Sequence, residues 1–358
     1  MTLLKLDVFS LRNIHSVSLL PSPSLNFIIG VNGSGKSSLL EAIFILGRAR
    51  SFRTTQIKQA IRFEQTQLIV AGQSRQLNGS LSHLGIQIDA KQCLIRIDQQ
   101  TMQKADLAYA LPVQLMHPKS YRLLDGGPQL RREFLDWGIF NAQRDFLSHW
   151  RKYNKALQQR NALLKSRQLK QLPAWDKELI EYGERFDAFR REYLDQLQPV
   201  FLNMAEQFLP IANIALRFDC GWDERQTLSD QLKADLEKDL RHGFTHAGPH
   251  RGDFLTFHDQ RLAKDYLSRG QQKLLVLALM LAQVDLMNRE QQNACCILID
   301  DLTAELDTVN RAKLLKYLSQ LGCQAFLSSN DLTDFGDLSH INDYKVFHVE
   351  QGDVKQIT

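Results

Sequence analysis

Apolar and polar positions change rhythm several times along the chain, and each change predicts an element. Residues 3–9 and 16–29 alternate or run apolar in short blocks, broken by Asn13 and by Pro21-Ser22-Pro23, as strands and hairpins do. The last block, Leu25 to Ile29, runs into GVNGSGKSS, Gly30 to Ser38, and then into an apolar-periodic segment from Leu39 to Leu46. That order predicts a strand, a glycine turn and a helix from Ser37 to about Leu46. From Gln67 to Ile97 short β-type segments return, with breaks expected at Asn78-Gly79 and His83-Leu84-Gly85, an antiparallel meander. Residues 113–136 read as a strand, a turn at Gly126-Gly127-Pro128, and a helix opened by Arg131-Arg132.

Beyond that the period lengthens. Phe146, Trp150, Tyr153, Leu157 and Leu164 keep close to a 3.5 spacing, as do Trp175, Leu179, Tyr182, Phe186, Phe189 and Tyr193, with Pro173 between the two stripes. The pattern predicts an antiparallel helical hairpin with short coiled-coil character, its aromatics packing one helix on the other rather than stacking on bases. β-type character is expected again near Thr245, followed by an apolar helix, Lys273 to Met287. A buried strand, Cys295 to Ile299, a helix, Asn310 to Leu321, and a strand, Gln324 to Ser329, complete the chain's pattern. The fold class this implies is α/β. A nucleotide-binding lobe with an antiparallel β subdomain is interrupted by a helical second domain, in segments 1–136, 137–243 and 244–358.

Bulk composition narrows the class. The chain's 358 residues, 44% hydrophobic and 23% charged, are those of an ordinary soluble globular protein. The longest apolar stretch, Leu274 to Ala282, is too short for a bilayer, and Lys5 and Asp7 spoil an early signal peptide, so no membrane and a cytoplasmic site are expected. Five cysteines without metal spacing fit a reducing compartment. A net charge of +4 is mild, so nucleic-acid binding would need a local patch. One exists: residues 141–170 hold Arg144, Arg151, Lys152, Lys155, Arg160, Lys165, Arg167 and Lys170 against Asp145 alone. Arg151, Lys152 and Lys155 are the candidate DNA contacts; a solvated helix face is the alternative. Arg48 to Arg53 form a second basic cluster, for nucleotide or DNA phosphate or for solvent. The acidic run from Asp223 to Asp239 reads as a solvent or protein-partner face.

The chemistry centres on Gly30 to Ser38, a G-x-x-x-x-G-K-S loop. Gly30, Gly33 and Gly35 let the backbone curl its N–H groups inward on one anion, and the helix dipole adds to the same point. Val31, Asn32, Ser34 and Ser38 are the remaining residues of the loop. Lys36 reaches β- and γ-phosphates, and Ser37 can ligate a Mg²⁺ that bridges them. Asp300, ending an all-apolar strand, is placed as the Walker B carboxylate for the metal, and Asp301 to orient or deprotonate a water. Ser268-Arg269-Gly270-Gln271, ahead of a helix, is a second anion device, and one triphosphate needs only one loop. That hints at a nucleotide shared between two subunits.

The order of these motifs, with YLSRGQQKLL and LIDDLTAELD, resembles the ABC-type ATPase heads of SMC-like DNA repair proteins. HPKSYRLLDGGPQLRREFLDW and GPHRGDF narrow the resemblance to the bacterial RecF family, over essentially the whole chain and least specifically across 140–240. The resemblance implies that residues 30–38 hold ATP and Mg²⁺, and that Ser268, Gly270 and Gln271 reach the γ-phosphate of a partner subunit. It implies metal and water roles for Asp300 and Asp301, and a loop across the dimer at Glu305-Leu306-Asp307. It further implies slow ATP hydrolysis, an ATP-dependent homodimer, and action with RecO and RecR to load RecA at single-strand gaps, on single-stranded and gapped or junction duplex DNA, including in the SOS response. Two departures stand out: Asp301 where transporters usually have Glu, and Ser328-Ser329-Asn330 where they have a switch histidine. Both argue against a transporter engine. Gln114, on the strand before His117-Pro118, is the candidate for the glutamine loop. A competing reading is a protein-interaction scaffold in which ATP only sets a conformation.

Overall fold

The computed structural model describes residues 1–76, 78–291 and 295–357, without the side chains of 290, 291, 304 and 305. The chain forms two compact units, residues 1–120 with 287–358, and residues 121–286.

The first unit opens with β1 (Thr2–Leu11), β2 (Ile14–Leu19), β3 (Leu25–Ile29), α1 (Lys36–Arg48), β4 (Gln67–Arg75), β5 (Leu81–Asp89), β6 (Cys93–Ile97), β7 (Gln100–Thr101), α2 (Lys104–Ala110) and β8 (Val113–Met116). The second unit holds α3 (Arg122–Asp125), α4 (Pro128–Ala142), α5 (Phe146–Ser166), α6 (Leu172–Phe208), β9 (Ile214–Asp219), α7 (Leu228–Ala234), α8 (Leu236–His242), β10 (Asp253–His258), β11 (Arg261–Leu262), α9 (Ala263–Tyr266) and α10 (Arg269–Gln291), whose last residues, from Met287, count with the first unit. The first unit then resumes with β12 (Cys296–Ile299), α11 (Leu302–Glu305), α12 (Thr308–Leu321), β13 (Ala325–Ser329), β14 (Tyr344–Glu350) and β15 (Asp353–Gln356).

Two six-stranded sheets build the first unit. The antiparallel one runs β2-β1-β4-β5-β6-β7. A bulge between Leu3 and Lys5 consumes one residue of β1, so Leu3 faces the core with Leu6 and Val8, and Ser10, in the left-handed region (φ 56°), turns Leu11 to the same side. The other sheet runs β15-β14-β3-β13-β12-β8 and is parallel except at β15. β3, β12, β13 and β8 are buried along their whole length, which is why they read as apolar runs without alternation. α1 packs into the core through Leu39, Leu40, Ile43 and Leu46.

In the second unit α5 and α6 pair through Phe146 against Phe186 and Phe189 (ring centroids 5.5 and 5.7 Å) and Tyr153 against Phe186 (5.4 Å). The aromatic stripes therefore serve the hairpin, as expected. α5 ends where Arg167 turns left-handed and the Gln168 N–H reaches back to Leu163 O.

Several boundaries differ from the sequence expectation. His83-Leu84-Gly85 is no break; it lies inside β5, where Leu84, Ile86 and Ile88 keep facing the core and Gly85 pairs with Ala71. α4 starts at Pro128 rather than Arg131, because proline's missing N–H is harmless at a first helical position. Pro173, between the two stripes, sits in the first turn of α6 for the same reason. Strand structure begins at Asp253, not Thr245; residues 245–252 form tight turns. α10 starts at Arg269, a turn before Lys273.

Arg160 is a correction of substance: it is fully buried, not part of an exposed stripe. Its guanidinium donates to Asp176 (2.7 Å), Asp239 (2.6 Å) and Thr245 Oγ1 (2.8 Å). Asp239 is buried too, so the 223–239 acids are not one solvent face. Nearby, the Tyr153 hydroxyl lies 2.7 Å from His250 Nδ1, and His250 Nε2 lies 3.0 Å from Thr245 O. A neutral ring accepting at Nδ1 and donating from Nε2 satisfies both.

Burial, and secondarily Arg251 and Arg132, lower the His250 pKa from 6.5 to about 4. The unfolded chain therefore takes up a proton near pH 6.5 that the fold refuses until about pH 4. Stability present above pH 6.5 should be lost progressively down to about pH 4, by up to about 3 kcal/mol from this group. His250→Gln should flatten that part of the stability–pH curve in denaturant melts; a slope equal to the wild type's would contradict the assignment.

Candidate functional site

The parallel sheet brings the C-terminal ends of β3, β12 and β13 side by side, and the loops leaving them build one cavity of about 350 Å³. Asn32, Gly33, Gly35, Lys36, Ser37, Ser38, Asp300, Asp301 and Ser328 line it, together with Arg12, Asn13 and Arg53.

Gly30 leaves β3 with φ 149°, and a Cβ there would strike Val349 O and the Ser34 hydroxyl. Its N–H donates to Asn330 O (3.1 Å), which ties the loop to the end of β13. Gly35 is the N-cap of α1, and the first turn of α1 carries no acid to compete with an incoming anion. Lys36 Nζ donates to Gly30 O (2.6 Å), Val31 O (3.2 Å) and Asn330 Oδ1 (3.1 Å). Burial pushes its pKa below the usual lysine range, against the pull of Asp301 and Asp300. Val31 points outward, and Ser34 is turned inward, its carbonyl accepting from Asn13 Nδ2 (2.8 Å) and the Gly352 N–H (2.7 Å). The Ser38 hydroxyl donates to Asn13 Oδ1 (3.0 Å).

Asp300 closes the arrangement. Its Oδ1 accepts from the Ser37 hydroxyl (3.0 Å) and the Ser328 hydroxyl (2.8 Å). Burial raises its pKa; the two serines oppose that and Asp301 adds to it. Hydroxyl and carboxylate oxygens this close suit a hard divalent cation that takes its remaining ligands from phosphate and water. Asp301 adopts the left-handed region (φ 54°, ψ 60°), with its N–H on Ser328 Oγ (2.9 Å). A non-glycine residue held there is a strained backbone at the cavity wall.

Two lining residues, Arg12 and Asn13, escaped sequence reasoning, and a third, Arg53, was read only as one of a basic cluster for phosphate or solvent. Arg12 sits in the β1–β2 turn with both its Nε and Nη2 on the buried Glu41 of α1 (2.9 Å each). Asn13 showed only as a turn signal. Arg53 belongs to the Arg48–Arg53 cluster, lies 3.8 Å from Glu41, and is the member of that cluster which faces the cavity. Gln114 is buried in mid-strand and is not among the lining residues; His117 occupies the end of β8.

The signature residues lie in the second unit. Ser268 Oγ accepts from the Gln271 N–H (3.3 Å), and the Ser268 N–H donates to Gln271 Oε1 (2.9 Å), a reciprocal cap on α10. Gln272, buried, donates to Lys264 O (2.8 Å) and Leu267 O (2.9 Å), which anchors the segment before it. Ser268 and Gly270 are exposed at the helix start. Asp307 caps α12 through the Asn310 N–H (2.8 Å) and does not line the cavity; the Glu305 side chain lies outside the described residues. Arg151, Lys152 and Lys155 are exposed on α5, with Lys152 over the Tyr182 ring (5.0 Å) and Lys155 over Trp175 (5.9 Å). Among the described residues no helix is long and apolar enough to cross a membrane.

A glycine loop before a helix and a buried strand-end acid on a parallel sheet are the parts of an ABC-ATPase head. The family model for the RecF/RecN/SMC N-terminal domain matches residues 2–355. The chain is 42% identical to the DNA replication and repair protein RecF of Pseudomonas paraeruginosa over 363 residues, covering 100% of this chain and 98% of that one. The RecF of Pseudomonas syringae pv. tomato is also 42% identical, over 362 residues, with 99% and 98% covered. A solved structure of the recombination mediator protein RecF with ATP, in the RecFOR pathway, superposes with a TM-score of 0.87 at 26% identity, covering 100% and 98%. An SMC head bound to the C-winged helix domain of ScpA shares the fold alone (TM-score 0.61, 13% identity, covering 100% and 97%). The chain belongs to the RecF family.

Because Asp300 carries a charge that burial disfavours, Asp300→Asn should stabilise the ligand-free fold at pH 8. A rise of about 2 °C in thermal melting is expected; an unchanged or lower value would show that the carboxylate is not strained.

Proposed function

We propose that the protein is an ATP-driven DNA-binding switch of recombinational repair and replication-fork recovery. The observation that carries this reading is the meeting of Lys36, Ser37, Asp300 and Asp301 in one cavity, in a family in which a RecF has been solved with ATP. Residues 30–38 hold the phosphates through loop N–H groups and Lys36, whose ammonium leaves three protein oxygens for phosphate oxygens. Ser37 and Asp300 would hold Mg²⁺, which would supply positive charge to offset that of the phosphates. Asp301 orients the attacking water. A carboxylate one methylene shorter than glutamate, on a strained backbone, fits slow turnover that times a state rather than drives a metabolic reaction.

The site is half complete in one chain. Ser268, Gly270 and Gln271 cap an exposed helix start whose dipole suits an anion, and they serve the γ-phosphate of a second copy. ATP therefore gates a homodimer, with Asp307 at the junction. DNA, single-stranded or at gaps and junctions, lies against Arg151, Lys152 and Lys155, and the protein acts in the cytoplasm with RecO and RecR to promote RecA loading and SOS induction.

Lys36→Arg should reduce ATP hydrolysis at least tenfold, with the fold intact by circular dichroism. Ser268→Arg should still bind ATP but remain monomeric by light scattering with ATP and Mg²⁺. A Ser268→Arg protein that dimerises like wild type would overturn the shared site.

A further inference from the structure

The segment Thr245 to Gly252, THAGPHRG, carries part of the family resemblance, yet the ATP site makes no use of it. It is held from several sides within its unit. Asn161 Oδ1 accepts from the Thr245 N–H (2.8 Å) and hydroxyl (2.7 Å), and Arg160 donates to the same hydroxyl. Tyr153 meets His250, Arg190 Nη1 donates to Pro249 O (2.6 Å), and Arg132 Nη1 donates to Gly252 O (2.9 Å). Two turn bonds, Arg251 N–H to Gly248 O (2.8 Å) and Gly252 N–H to Pro249 O (3.2 Å), fold the tip. Gly248 has φ 131°, and a Cβ there would sit 2.8 Å from the Tyr153 hydroxyl. A loop fastened this thoroughly presents its exposed residue, Arg251, in one place.

The charges around the loop do not balance. Four guanidiniums, Arg131, Arg132, Arg190 and Arg251, gather at its end with two carboxylates. Arg131 takes both oxygens of Asp253 (2.7 and 2.8 Å), and Arg190 takes both oxygens of Asp136 (2.9 and 3.0 Å). Among the described residues Arg132 and Arg251 form no ion pair. Arg132 is half-buried; burial and then Arg190 lower its pKa, Asp253 and Asp136 oppose that only in part, and Arg251 adds to the lowering. Arg251 lies over the Phe244 ring (5.1 Å), which limits where its guanidinium can go. Two neighbouring guanidiniums held by carbonyls and a ring, with no ion-pair partner of their own among the described residues, have the chemistry of a phosphate receptor.

We propose that Arg132 and Arg251 form an anion site for a phosphodiester of a nucleic-acid backbone, separate from the lysines of α5. The inference rests on the DNA-binding reading above. It is tested on the full chain with ATP and Mg²⁺, binding a labelled gapped duplex, by fluorescence anisotropy at a series of salt concentrations. Arg251→Gln should weaken binding several-fold near 0.1 M salt and lower the slope of log K against log salt by about 1, with Arg132→Gln adding about 1 more. Arg251→Lys, which keeps the charge, should keep the slope. ATP-dependent dimerisation should not change, and because Arg251 is exposed its variants should melt like wild type. A second arm adds inorganic phosphate without DNA, against chloride of equal ionic strength. No specific rise in melting temperature is expected. If the Gln variants bind with the wild-type slope while wild type binds DNA, the site is wrong and the DNA reading stands. If phosphate stabilises wild type but not Arg251→Gln with the DNA slope unchanged, the site serves a free anion and the backbone proposal fails. If wild type itself does not bind DNA, both fall.

Discussion

One buried carboxylate holds the nucleotide cavity in register. Asp300 ends β12, and its Oδ1 accepts from Ser37 at the start of α1 and from Ser328 on β13. Those three positions lie far apart in the chain and are neighbours only because β3, β13 and β12 are consecutive in a parallel sheet. The same adjacency lets Asn330 accept from Lys36 and bond the Gly30 N–H through its carbonyl. The cavity is thus a property of strand order, and the desolvated charge it contains is a stability cost that a bound cation would offset.

Much of this was legible because the glycine loop, the acid pair and the S-x-x-Q cap each need particular residue types at short spacing. The apolar runs of β3, β12 and β13 also announced a buried parallel sheet. What could not be read were single residues whose roles depend on partners far away in sequence. Arg12 carries no local signal, since a lone arginine at a turn looks the same whether it faces solvent or a cavity, and the Arg48–Arg53 cluster pointed to phosphate or solvent without singling out Arg53. Their common partner, Glu41, is an unremarked polar position on an otherwise apolar helix.

Arg160 is more instructive. Counting charge over 141–170 placed it in a solvated stripe, yet it stands seven residues after Tyr153 and fourteen after Phe146, on the same helical seam as the buried rings. Periodicity pointed inward and charge pointed outward, and periodicity decided because Asp176 and Asp239 were available to pair with it. Arg190, four residues after Phe186 and over its ring, is likewise buried and paired with Asp136. Such pairs add little net stability but penalise any packing that separates them, so they fix the turns of residues 245–252.

The central claim is that each chain contributes the phosphate loop to one site and the signature to another. Mixing tests it most directly. Ser268→Arg protein retains a sound loop and Lys36→Ala protein a sound signature, so neither should hydrolyse ATP or dimerise alone. Their equimolar mixture should form a heterodimer with one intact site and recover a substantial fraction of wild-type hydrolysis. A mixture no more active than either variant alone would contradict the account.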